Sequence, residues 1–118
     1  MNNGLKSVKL APLFAALIAA IISSPVFCAV KDGFYQDALN RLRNQDTDGA
    51  IIQLKNAVQS APDFLTGWLK LGETYLSISH GAAAERAFKK AQMLGADPKF
   101  TLIPLAKAYL LQAKIDEL

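Results

Sequence analysis

Apolar residues recur along this chain first as one unbroken block and then at helical intervals. Residues 10–22 (LAPLFAALIAAII) carry no charge, whereas from about residue 30 onward apolar positions return every three or four residues with polar ones between them. That spacing predicts five helices, near 32–44, 48–60, 65–78, 82–95 and 99–114. Tight turns are predicted at residues 45–49 and at Ser79-His80-Gly81. Further turns fall at Ala61-Pro62-Asp63 and Gly95-Ala96-Asp97-Pro98, because proline cannot continue a helix and glycine suits the left-handed position that ends one. Asp48 is the predicted N-cap of a helix opening at Gly49. The fold class is all-α.

The helices repeat in register, with a constant period of about 34 residues. Phe34, Trp68 and Leu102 fall at one position of the repeat, Ala38, Gly72 and Ala106 at another, and Leu42, Leu76 and Leu110 at a third. Leu71 and Tyr75 recur as Leu105 and Tyr109, while Ala50, Leu54 and Ala57 recur as Ala84, Phe88 and Ala91. Each unit is then a pair of antiparallel helices. Small residues stand where helices approach closely, and large ones fill the space around them. The middle unit reads Trp68-x-x-Leu71-Gly72-x-x-Tyr75, followed by Ala84, Phe88 and Ala91. This resembles the tetratricopeptide repeat. The first unit departs from the pattern, with Asp37 and Arg41 in place of its leucine and tyrosine.

The resemblance implies a right-handed α-α superhelix of about two and a half units, at residues 31–64, 65–98 and an incomplete 99–118. It implies a concave groove for an extended protein or peptide ligand, lined by the first helix of each unit. The groove positions would be Tyr35, Gln36, Leu69, Lys70, Glu73, Ile103 and Lys107. Tyr35 and Leu39 stand where chaperone-binding repeats carry their carboxylate clamp, so that specificity is not implied. A narrower resemblance rests on residues 50–58 (AIIQLKNAV) and 94–98 (LGADP), which are similar to the N-terminal repeats of PEP-CTERM system tetratricopeptide lipoproteins. That family implies a link to exosortase sorting and exopolysaccharide production.

The block at 10–22 changes the picture of where the chain works. Lys6 and Lys9 precede it, Ser23-Ser24-Pro25 breaks it, and small residues follow, which is the layout of a secretory signal. Residues 1–29 are therefore a signal peptide or an N-terminal membrane anchor, and residues 30–118 the repeat domain. Three fates fit: cleavage near residue 28 or 29, lipid attachment at Cys28, or an uncleaved anchor over residues 10–30. Phe27 and Pro25 depart from the lipoprotein motif around Cys28. In each case the repeats lie outside the cytoplasm, in the periplasm or anchored facing it.

Charge and chemistry narrow the function. Without Lys6 and Lys9, 11 basic residues face 10 acidic ones, so no electrostatic footprint for nucleic acid exists. One cysteine and one histidine exclude an intramolecular disulfide and most metal sites. His80 reads as a solvated turn residue, and Asp46 and Asp48 lack the later glutamate of a calcium loop. No phosphate-binding glycine loop occurs. The sequence predicts no enzyme, no metal and no cofactor.

The helix near 99–114 is apolar on almost every side, with Leu110 and Leu111 on the face predicted to lack a cover. A terminal repeat helix normally shows a polar outer face. Two expectations follow: an array that continues beyond this unit, or a homodimer through this helix. The final residues 115–118 (IDEL) resemble an ER-retention tail, and read more simply as turn residues.

Overall fold

The computed structural model describes residues 25–116. The cationic start, the apolar block at 10–22 and the Ser23-Ser24 part of the breaker lie outside the described residues, as do Glu117 and Leu118. Five α-helices follow one another: α1 (Pro25–Arg43), α2 (Thr47–Ser60), α3 (Leu65–Ser77), α4 (Gly81–Met93) and α5 (Leu102–Asp116). A 3₁₀ turn (Pro98–Phe100) precedes α5. Among the described residues there are no strands, and no helix is long and apolar enough to cross a membrane.

α1 reaches back to Pro25, the first described residue, well before the predicted start near residue 32, and runs through Cys28 and Val30 without a break. α2 opens one residue earlier than predicted, and its cap is Asp46, not Asp48. The Asp46 carboxylate accepts from the Gly49 N–H at 3.0 Å, the three-residue reach of an N-cap. Gly49 is required there, because a Cβ would lie 2.6 Å from an Arg41 guanidinium nitrogen and closer still to the Asp46 carboxylate. α5 opens at Leu102, later than the predicted 99, because Asp97 caps the 3₁₀ turn by accepting from the Lys99 N–H at 3.0 Å.

Helix ends preserve the repeat down to the backbone. Gln45 and Ser79, at equivalent positions of successive units, both adopt left-handed φ values of 61° and 62°, and Gly95 adopts 91°. At each, paired bonds return to the last turn: Gln45 N–H to Leu42 and Asp46 N–H to Arg41, Ser79 N–H to Leu76 and His80 N–H to Tyr75, Gly95 N–H to Gln92 and Ala96 N–H to Ala91. This is the Schellman arrangement. The left-handed residue before α2 is thus a glutamine, and the one before α4 a serine, not the nearby glycines.

Successive helices pack antiparallel, α1 on α2, α2 on α3, α3 on α4 and α4 on α5, with α5 also touching α3. The core lies between the pairs. Ala38, Leu54, Val58, Leu71 and Ala87 form one cluster, and Ala84, Phe88, Leu105 and Ala108 a second, with Tyr75 packed against both. Phe88 and Leu54 are fully buried, each contributing about 1.5–3 kcal/mol by leaving water. The Phe88 ring sits on Gly72, where a Cβ would lie 2.8 Å from it. α4 and α5 meet at Gly81, where a Cβ would lie 2.6 Å from the Ala108 carbonyl oxygen.

α5 is embedded on one side only, through Leu105 and Ala108 with buried Thr101 just before it, while Leu102, Ile103, Tyr109 and Leu110 are exposed. Leu111 corrects the expectation. It is half-buried, with its Cβ packed at the Gly81 contact, so only Leu110 of the expected pair belongs to the bare face.

Candidate functional site

α1, α3 and α5 carry the seven predicted groove residues, and the structure unites some of them. Tyr35 on α1 packs edge-on to Phe64, ring centres 5.2 Å apart at 78°, and the Lys31 ammonium lies 4.6 Å from the centre of the Phe64 ring. Lys70 on α3 pairs with Glu73 at 2.7 Å. That hydrogen bond holds the Lys70 ammonium above its ordinary pKa against the opposing effect of burial, and Tyr35 adds a smaller push in the same direction. Lys70 and Glu73 thus form an ion pair on α3, with Tyr35 of α1 within electrostatic reach of the ammonium. Gln36 is exposed on α1 beside Tyr35 in sequence.

The rest divides. Leu69 is half-buried against the Phe88 cluster, so much of its surface serves the core. Ile103 and Lys107 stand exposed on α5. Lys107 lines a cleft of about 250 Å³ between α3 and α5 together with Leu76, Leu110, Leu111 and Lys114. Sequence reasoning did not assign Leu76 or Lys114 to a site. The signal was present in their spacing, because Lys107 and Lys114 stand two turns apart on one side of the helix.

The two departures from the repeat pattern explain each other. Arg41 donates from Nε to Asp37 at 2.9 Å and from its guanidinium to Asp46 at 2.8 Å, while Gln53 of α2 donates to Asp37 at 2.5 Å. A polar network therefore replaces the leucine–tyrosine packing of the middle unit and fastens α1 to α2. It holds the Asp37 carboxyl below its ordinary pKa, through Arg41 first and Gln53 second. Asp46 is lowered by the Gly49 N–H and then by Arg41.

The remaining candidates are scattered. Cys28 is exposed near the start of α1, and its thiol is free. His80 precedes α4 and stacks on Tyr75, ring centres 6.3 Å apart. Among the described residues, no three His, Cys, Asp or Glu side chains are grouped to hold a metal ion.

No protein-family profile matches the chain. A curated protein similar to part of it is the cytochrome c-type biogenesis protein CycH of Pseudomonas aeruginosa, 44% identical over 48 residues. The matched stretch is 40% of this chain and 12% of that protein's length, so the chain corresponds to a small part of that relative. The antiparallel stack and its constant register are compatible with a tetratricopeptide-like chain.

Proposed function

We propose that this chain is a non-catalytic scaffold of the tetratricopeptide class, a right-handed α-α superhelix that holds an extended protein segment along the side formed by α1, α3 and α5. The observation that carries this reading is the Lys70–Glu73 ion pair on α3 together with the Lys107-lined cleft between α3 and α5. A row of alternating charged and apolar contacts suits an extended peptide whose side chains alternate likewise. Work outside the cytoplasm is part of the proposal and rests on Lys6, Lys9 and the apolar block. The link to PEP-CTERM sorting and exopolysaccharide production rests on residues 50–58 and 94–98. The likeness to a biogenesis protein adds support for a polypeptide client.

The test is selection of random peptides on the full chain, followed by fluorescence anisotropy with the winners. Lys70→Glu and Lys107→Glu are each expected to weaken binding about tenfold while helicity stays unchanged. Selected peptides that bind both variants as well as the parent would remove the groove reading. A second reading, self-association through α5, is favoured by one observation: Leu102, Ile103, Tyr109 and Leu110 are 48–67% exposed on a single helix.

A further inference from the structure

A second cleft lies on the other side of α3. Trp68, Leu71 and Tyr75 fall opposite Leu69, Lys70 and Glu73 around that helix. They floor a cleft of about 270 Å³ between α2 and α4, with Val58 beside them and Lys55 and Arg86 at its edges. That volume suits one amino-acid-sized group. No carboxylate lines it. Neither Lys55 nor Arg86 makes an ion pair among the described residues, so two cations flank an apolar, aromatic floor.

The repeat shows what is missing. Lys89 and Tyr109 lie one full repeat after Lys55 and Tyr75, and there the ammonium stands 5.8 Å from the tyrosine ring centre and 2.5 Å from the Glu85 carboxylate. At the position equivalent to Glu85, one repeat earlier, the chain has Ile51, which packs against the first core cluster. Lys89 is completed by a carboxylate of its own helix, and Lys55 has no carboxylate at the equivalent place. We propose that the α2–α4 cleft binds an apolar group bearing a free carboxylate, with Lys55 and Arg86 taking the charge and Trp68, Leu71 and Tyr75 the apolar body. Arginine reads a carboxylate with paired donors, and an aromatic floor favours a flat or branched apolar side chain. The chemistry is that of an apolar amino acid at a polypeptide's carboxyl end, or of a small free acid. It is independent of the groove along α1, α3 and α5.

Trp68 is the chain's one tryptophan, so its emission reports the cleft directly. The full chain is titrated with N-acetyl-phenylalanine and with N-acetyl-phenylalaninamide. The acid is expected to shift the emission saturably, and the amide to bind about tenfold more weakly. Lys55→Gln and Arg86→Gln should each lower affinity for the acid by roughly three- to tenfold and leave the amide unchanged, with circular dichroism showing the same helicity. Equal binding of acid and amide, insensitivity to both substitutions, or no shift with either compound overturns the proposal. A ten-residue peptide ending in a free phenylalanine then separates the sources. Binding at least as tight as the acetylated amino acid identifies a chain end, and exclusion of the peptide identifies a small acid.

Discussion

Arg41 illustrates how one side chain can join three pieces of backbone. Its guanidinium bridges Asp37, one turn earlier on α1, and Asp46, which at the same time caps α2 through the Gly49 N–H. Gln53 reaches the same Asp37 carboxylate from two turns into α2. Both aspartates are exposed enough that screening keeps each pair modest, yet their lowered pKa values have a definite sign. A carboxyl whose folded pKa is depressed stabilises the fold above its unfolded value, about 3.8, and that contribution is lost as pH falls through the folded value. Unfolding midpoints of the parent and of Asp37→Asn should therefore differ most near neutral pH and converge as pH falls below 3.8 and through the folded value. A gap that stays constant across that range would show that the network does not couple to protonation.

At the scale of the element, α5 is held by few contacts, each of them close. Gly81 admits its backbone, Gln112 donates to Glu85 at 2.8 Å, and Lys89 joins that same carboxylate while lying over Tyr109. Lys89 and then Gln112 keep Glu85 below its ordinary pKa. Gly81→Ala places a Cβ against the Ala108 carbonyl, a backbone atom that cannot step aside, so it should destabilise by about 1–3 kcal/mol although alanine is the better helix former. Leu110→Glu on the bare face should stay within about 0.5 kcal/mol of the parent. Denaturant unfolding followed by circular dichroism ranks the two. A harmless Gly81→Ala would mean that α5 docks more loosely than its contacts imply.

For the whole molecule, the two core clusters share Tyr75, so the helical pairs unfold as neighbours in one line rather than around a single centre. The line ends, within the described residues, on an apolar face where Ala106 and Tyr109 repeat the positions of Gly72 and Tyr75. In the middle unit those positions receive α4, with Phe88 seated on Gly72. Their counterparts on α5 are open. If copies of the chain cover this face for one another, mass by light scattering should rise with concentration, and Ile103→Glu with Leu110→Glu should hold the chain at monomer mass. A parent that stays monomeric over the whole concentration range would exclude self-association.

Helix number, pairing and spacing were legible from residue order because one fixed register constrains every unit alike: where Gly72 admits Phe88, the pattern names both partners. Local chemistry likewise marked Asp37 and Arg41 as departures from that pattern. Residue order did not reveal that the two departures answer each other, that Asp46 rather than Asp48 caps α2, or that Leu111 turns inward at Gly81. Nor did it show that Lys55 and Arg86 come together over Trp68, Leu71 and Tyr75 in one cleft. Most of these are contacts between helices, or choices among equivalent turn residues, and they depend on rotation about helix axes and on backbone angles that spacing leaves free. Periodicity states which side of a helix is apolar; packing settles which neighbour that side meets and which polar groups remain without one.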